Sequence, residues 1–334
     1  MIITRTPFRV SLFGGSTDYR SYYEKHNALL IGFCINKYSY LNVRYTPHIL
    51  DHHTRITYSK TEVVNDNSKI EHDGVRGVLD YLTIKGGVEI NHFSDLPAQT
   101  GIGSSSSFIV GLLKALMYLQ SGRRDIKDKK FFASTAIHIE RELLKEAGGI
   151  QDQIWASYGG FNALLLEKNS RPACSLDRYG YKVRPMPLSD EFLQSFRDHS
   201  ILLYTGRSRK SFEIAKAHDS KSSEPHKHEI KRIAHDAYRA FENEDLYVIG
   251  YLLNQSWLAK KSISPIITSD PVDDLYQDLY DNGMVGGKLL GSGGSGFIFG
   301  IFDKISDRNK MIDKYHKLNI NYNFDMKGSK ILNG

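Results

Sequence analysis

The sequence has almost no cysteine. Its two, Cys34 and Cys174, sit in no Cys-x-x-Cys pair. That excludes a disulfide framework and a cysteine-based metal site, and it fits a reducing cytoplasm. Long apolar runs are also missing. The longest, with glycine allowed, is Ala28 to Ile35, far short of the roughly 20 residues a helix needs to cross a bilayer. No membrane partner is expected. Met1-Ile2-Ile3-Thr4-Arg5-Thr6-Pro7 is not a basic segment followed by an apolar one, so no secretory leader is expected either. No repeat of fixed period and no long low-complexity tract is visible. No contiguous basic stripe alternates with aromatics, which argues against nucleic acid as a partner. The histidines His52, His53, His218, His226, His228 and His235 are irregularly spaced and lack a His-Glu-x-x-His pattern. They read as surface residues rather than zinc ligands.

What remains is an ordinary globular composition, with 40% hydrophobic and 25% charged residues, which excludes disorder for most of the chain. A length of 334 residues suggests about two domains. The net charge of +6 suits anionic partners such as phosphorylated metabolites or nucleotides. Eight of the 28 glycines lie between Gly283 and Gly300. Clustered glycine brings backbone close to something else.

Arg9 to Phe13 reads as a strand ending at Gly14-Gly15, and Tyr38 to Tyr45 and Val88 to Phe93 alternate like strands. A helix starts in the serine run Ser104 to Ser107, whose hydroxyls can cap it, and ends at Gly122. A second helix runs from about Asp128 to Ala147. Turn signals between Lys168 and Pro187 predict a boundary, giving domains 1–180 and 181–334. Beyond it follow a strand at His199 to Tyr204 and helices at His226 to Asn243 and Asp245 to Lys260. A strand at Gly296 to Phe302 and a helix at Asp307 to Leu318 complete the pattern. Both halves mix helices with strands, so two α+β domains are predicted.

Five segments are candidates for chemistry. The first is Pro97-Ala98-Gln99-Thr100-Gly101-Ile102-Gly103-Ser104-Ser105-Ser106-Ser107, directly before a helix. Flexible backbone, hydroxyls and a helix dipole together make an anion site. It is not a Walker loop, because no Gly-Lys-Ser/Thr follows. The second is Gly148-Gly149-Ile150-Gln151-Asp152-Gln153, where Asp152 is either a solvated carboxylate or an acceptor of a hydroxyl proton. The third is Glu140, which lies beside an apolar helix face and needs a partner or a metal there. Glu142 and Glu146 read as solvated. The fourth is Arg9 through Tyr19, whose Ser16, Thr17 and Asp18 either bind a polyol or cap a turn. The fifth is Gly286 to Gly296, flanked by apolar strands and so part of a folded unit.

Together these segments resemble the GHMP small-molecule kinases, named for galactokinase, homoserine kinase, mevalonate kinase and phosphomevalonate kinase. The serine loop is similar to the family's Pro-x-x-x-Gly-Leu-Gly-Ser-Ser motif, with Ile102 in place of leucine. Gly286 to Gly296 resembles the third, glycine-rich motif, and Gly149-Ile150-Gln151-Asp152-Gln153 is similar to a galactokinase-type Gly-Ile-Met-Asp-Gln. Gly14-Gly15-Ser16-Thr17-Asp18-Tyr19 departs from the Gly-Glu-His-Thr-Asp-Tyr of galactokinases at its second and third positions, which speaks against galactose.

The resemblance implies a two-domain fold: an N-terminal domain like ribosomal protein S5 domain 2 and a ferredoxin-like C-terminal domain. It implies ATP and Mg²⁺ as cofactors and a small-molecule sugar phosphate as partner. Asp152 is then the residue that orients or deprotonates the sugar hydroxyl, and Arg9 its cationic partner. Glu140 and Ser105 are the metal ligands. Gly101, Ile102, Gly103, Ser104, Ser105 and Ser106 hold the nucleotide phosphates. Ser16, Thr17, Asp18, Gly149 and Arg207 bind the sugar, with Arg209 and Lys210 beside Arg207. The pattern Thr6-Pro7-Phe8-Arg9 with Phe13 to Tyr19 is similar to the branch acting on D-glycero-D-manno-heptose 7-phosphate. That branch makes the 1,7-bisphosphate for nucleotide-activated heptose and surface polysaccharide. A fucokinase-like or other sugar kinase, and a non-catalytic sensor of ATP and sugar, are the alternatives.

Overall fold

The computed structural model describes residues 1–122, 128–167, 178–206, 214 and 217–333. Its strands are β1 (Ile2–Phe13), β2 (Ala28–Tyr45), β3 (Thr54–Thr57), β4 (Thr61–Val64), β5 (Val88–Ser94), β6 (Phe161–Leu166), β7 (Tyr181–Pro185), β8 (Ser200–Tyr204), β9 (Met284–Leu289), β10 (Phe297–Phe302) and β11 (Lys330–Asn333). Its helices are α1 (Arg20–His26), α2 (Asp73–Tyr81), α3 (Ser104–Ser121), α4 (Lys129–Ile137), α5 (Gln151–Tyr158), α6 (Asp190–Asp198), α7 (Glu224–Glu242), α8 (Leu246–Lys261), α9 (Asp270–Asp281) and α10 (Ile305–Lys314).

Two long strands organise the first half. β1 pairs antiparallel with β2 along most of its length, with a register shift after Pro7, which has no N–H to give the ladder. On its other edge β2 serves two more neighbours. Ala28 to Phe33 pairs with β6, and Ser39 to Tyr45 pairs with β5. The apolar run that is too short for a membrane is therefore a buried strand. Among the described residues no helix is long and apolar enough to cross a membrane. The large sheet takes β7 and β11 from beyond residue 180. The smaller sheet is β8-β10-β9, antiparallel, with α8 packed on β9 and β10 and α7 lying between α8 and the large sheet's β1 and β2.

One core spans both halves. Phe33 and Phe161 from the large sheet meet Phe196, Phe241 and Phe299, with Phe33–Phe161 centroids 5.1 Å apart and Phe196–Phe299 centroids 5.8 Å apart. Rings of this size dominate burial energetics, so the halves are held against each other by apolar packing rather than by a linker. This fixes the geometry of what lies between them.

The second helix departs from expectation. α4 follows an Asp128 cap, but the chain widens into a π-helical turn at His138–Leu143. Leu144 N–H bonds Ile139 O five residues back, at 2.9 Å. Such turns concentrate at functional sites, and this one carries Glu140.

Candidate active site

A cavity of about 450 Å³ opens between the serine loop, the Gly14–Tyr19 turn and the glycine-rich segment before β10. Its size suits a small-molecule site. Gly103 caps α3 in the left-handed conformation, and no side chain caps the first turn. The expected capping hydroxyls go elsewhere. Ser106 donates to Glu140 Oε2 at 2.8 Å, and Ser107 donates to Pro7 O at 2.9 Å. The first-turn N–H groups of Ser104, Ser105 and Ser106 therefore have no side-chain acceptor, and all three residues line the cavity. Free N–H groups and a helix dipole make this an anion cradle.

The cradle is braced from below. Gly101 lies so close to Leu290 and Gly291 that a Cβ on Gly101 would enter the Leu290 carbonyl. The clustered glycines thus bring two loops into backbone contact. Lys260 donates to Leu289 O at 2.9 Å and Gly291 O at 2.6 Å, and Lys288 donates to Leu12 O at 2.9 Å. Both lysines are buried and line the cavity. Burial, then the charge of Arg9, pushes Lys288 down to about 7. Burial pushes Lys260 well below its ordinary value.

Arg9 joins three segments. Its guanidinium grips Asp152 with two bonds of 2.8 Å and also donates to Gly101 O, and its backbone N–H bonds Ile102 O at 3.1 Å. Arg9 is 5% exposed and Asp152 25%. The pair is thus desolvated on the arginine side and open to the cavity on the carboxylate side. A bidentate fork fixes the carboxylate plane. Asp152 sits in the first turn of α5, not at a solvated helix exit.

Glu140 is 1% exposed. It accepts from Ser105 and Ser106 hydroxyls and from the Gln153 amide. Gln153 Oε1 beside it is buried without a partner. A buried carboxylate ringed by neutral donors, with an orphaned oxygen next to it, is an all-oxygen set that fits Mg²⁺. Glu146 is not a solvated helix charge. It lines the cavity, and burial, then Glu140, raises its pKa. Glu142 is exposed and pairs with Arg20 at 3.1 Å.

At the other end Asp18 is 1% exposed. Its Oδ2 accepts from Gln151 N–H at 3.3 Å, while Oδ1 is buried with no partner. Burial, then the charge of Asp152, raises its pKa. Gly149 makes this placement possible, since a Cβ there would collide with the Asp18 carboxylate. Ser16, at φ 78°, bonds His218 Nδ1 at 2.8 Å, and His218 Nε2 meets Ser292 O at 2.7 Å. A carbonyl only accepts, so Nε2 carries the proton and Nδ1 accepts from Ser16. Burial, then Lys260, pushes His218 down to about 4, so it stays neutral at pH 7.

Two expected binding residues do not reach the cavity. Thr17 is fully buried and donates its hydroxyl to Gly14 O at 2.6 Å. Ile102 is a core side chain whose carbonyl serves Arg9. Both are outside the lining, so what they hold is the turn and the loop. Arg207, Arg209 and Lys210 lie outside the described residues. Sequence reasoning missed His218, Lys260 and Arg141. Arg141 lines the cavity and braces the Gly148-Gly149 turn through Glu146 O at 2.8 Å and Gly149 O at 3.1 Å. None of the three carries a local motif. Directly after the serine loop, Phe108 stacks on His72 at 4.8 Å and meets His92 edge-on at 5.0 Å, and all three line the cavity.

The arrangement pairs an anion cradle with a fixed carboxylate and an adjoining polar pocket, which is what phosphoryl transfer to a hydroxyl requires. Comparison with known proteins agrees. Over 325 residues, 92% of this chain and 91% of the relative, the chain is 29% identical to the D-glycero-alpha-D-manno-heptose 7-phosphate kinase of Campylobacter jejuni subsp. jejuni serotype O:2. It is 22% identical to the bifunctional fucokinase/GDP-fucose pyrophosphorylase of Arabidopsis thaliana over 219 residues, 63% of this chain and 19% of that one. The crystal structure of a D-glycero-D-manno-heptose 1-phosphate kinase from Bacteroides thetaiotaomicron has the same fold. Its TM-score is 0.78 at 21% identity, with 100% of this chain and 99% of that chain covered. The GHMP kinases N terminal domain matches residues 70–160 and the GHMP kinases C terminal matches residues 237–321. With both halves matched in order, the chain belongs to the GHMP kinases, which are ATP-dependent phosphotransferases.

Proposed function

We propose that this kinase transfers the γ-phosphoryl group of ATP to the anomeric hydroxyl of D-glycero-D-manno-heptose 7-phosphate, giving the 1,7-bisphosphate. The chemistry rests on one observation above all: Asp152 is held by Arg9 between the anion cradle and Asp18. The choice of sugar rests on the similarity to the Campylobacter kinase along nearly the whole chain.

In this reading the Ser104 to Ser106 N–H groups, with Gly101 and Gly103 giving close approach, hold the β- and γ-phosphates. The His72, His92 and Phe108 wall takes the adenine ring. Burial, then His72, pushes His92 down to about 4, so this wall remains neutral at pH 7. Glu140 and Ser105, with Ser106 beside them, would hold Mg²⁺, which supplies charge neutralisation of the phosphates. Asp18 Oδ1 accepts a hydrogen bond from a sugar hydroxyl, and Ser16 offers its oxygen alongside. Asp152 takes the proton of the anomeric hydroxyl as its oxygen bonds to the γ-phosphorus and the bond to ADP breaks. Arg9 holds the Asp152 carboxylate in place for that task and steadies charge on the phosphoryl group. Arg141, with Arg207, Arg209 and Lys210, is our candidate for the sugar's own phosphate.

The Arabidopsis match favours one second reading, a fucokinase-like activity. An ADP-release assay across heptose 7-phosphate, free heptose, fucose and galactose separates the two. We expect kcat/KM for heptose 7-phosphate to exceed that of any free sugar by about a hundredfold, the worth of one well-held phosphate. A free sugar turning over better than heptose 7-phosphate overturns the assignment. No turnover with any sugar would favour a sensor.

A further inference from the structure

Away from the cavity, the structure gathers three metal-ligating side chains that sequence spacing scatters. His26 ends α1, and Glu224 and His228 lie one turn apart on α7. Their ligand atoms lie within 4.8 Å of one another. His26 Nε2 is 2.8 Å from Glu224 Oε1, and His228 Nε2 is 4.0 Å from the same oxygen. We propose that His26, Glu224 and His228 form a site for a divalent transition metal of the zinc class, separate from the magnesium ligands.

The donor chemistry selects the ion. Two imidazoles and one carboxylate suit zinc and its neighbours, whereas Mg²⁺ and Ca²⁺ want oxygen alone. Donors on a tetrahedral zinc stand about 3.3 Å apart, given bonds of roughly 2.0–2.1 Å. One separation here is slightly shorter than that and one slightly longer. All three side chains are partly exposed, so small rotations bring both to the required value. Three protein ligands leave a coordination position for water.

An independent feature orients the set. Tyr22 OH lies 3.0 Å from His228 Nδ1. With Nδ1 engaged there, Nε2 is the nitrogen turned toward His26 and Glu224. A partner on the second ring nitrogen is the usual support for a metal-bound histidine. The Tyr22, His26 and His228 rings pack against one another, with centroids 4.6 to 5.4 Å apart. Lys231 fixes the His26 carbonyl.

The location gives the site a consequence. α1 starts directly after Asp18 and Tyr19, and α7 starts shortly after His218, the partner of Ser16. A bound ion ties the first half of the chain to the second behind that pocket, where Ser21 already meets Asp219. It acts as a clasp, and its existence does not depend on which sugar the kinase uses.

The test is calorimetric titration of the full chain with ZnCl₂ in chelator-free buffer containing millimolar Mg²⁺, followed by thermal melts. We expect one Zn²⁺ per chain with a Kd in the micromolar range and a higher Tm with zinc. His228→Ala and His26→Ala should each weaken binding at least tenfold, and Tyr22→Phe more modestly. Melts without zinc establish that each variant is folded. With Co²⁺ as probe, visible absorption bands should appear in the wild type and vanish in His228→Gln. Absence of binding at 100 µM zinc (roughly a hundredfold above a micromolar Kd), or equal affinity in wild type and both histidine variants, overturns the proposal.

Discussion

At the serine-loop end of the cavity, Arg9 bonds Asp152, and Ser105 and Ser106 bond Glu140. At the Asp18 end, one buried carboxylate oxygen has no partner at all. The first end is organised before anything binds. The second leaves Asp18 Oδ1 desolvated, a cost that a donor from the proposed sugar would remove. In the proposed reading, preorganisation would lie where charge moves and an unmet acceptor where the sugar is chosen, a division of labour that suits a kinase. Substitutions at the two ends should therefore separate kcat from sugar KM.

The largest effect belongs to Asp152→Asn. It keeps the shape and removes the proposed proton acceptor, so kcat should fall by about 10²–10⁴. Nucleotide affinity, measured by titration calorimetry, should change less than about threefold. Near-wild-type turnover would mean that another group takes the proton.

Gly149→Ala strikes the other end. The added methyl collides with Asp18, and overpacking of about 1–3 kcal/mol converts to roughly a 5- to 150-fold rise in sugar KM. ATP KM should stay put. An equal rise in both would show that the two ends are not separable.

Glu140→Gln should raise the Mg²⁺ concentration for half-maximal rate by about tenfold, as the proposed charged ligand becomes neutral. Sugar KM at saturating Mg²⁺ should hold.

The smallest effect is a pH dependence. Lys288 is pushed down to about 7 by burial and Arg9. A bound anion nearby favours its charged form and raises that value. Binding then takes up a proton above pH 7, so nucleotide affinity should fall a few-fold as pH rises from about 6 to 8. Calorimetry in buffers of different ionisation enthalpy reads the proton directly. Lys288→Met should flatten the profile. No proton uptake in the wild type would place the phosphates away from Lys288.

The two ends also differ in how they can be read from sequence. The serine loop is local: glycines, hydroxyls and a helix start stand together, so its chemistry shows in eleven consecutive residues. Arg9 and Asp152 were legible through their motifs, although their bond joins residues far apart. The Asp18 pocket is not local. Ser16 meets His218 about two hundred positions away, and His218 meets Ser292. Nothing in the spacing of the histidines signals this, nor the meeting of His26 with His228. Likewise the sequence pattern predicts one helix from Asp128 to Ala147, because apolar spacing does not distinguish an α-turn from the π-turn that carries Glu140. Thr17 looked like a ligand by composition, yet its hydroxyl closes the turn. The apolar run at Ala28 stands out in the sequence, but its two strand partners, β1 and β6, come from opposite sides of the serine loop in sequence.

Phosphorus NMR of the wild-type reaction with ATP, Mg²⁺ and D-glycero-D-manno-heptose 7-phosphate tests the central claim most directly. The account predicts that ADP appears together with a second sugar phosphate resonance coupled to the anomeric proton, while the 7-phosphate resonance persists. ATP that stays intact, or a new phosphate coupled to any other carbon-bound proton, would contradict it.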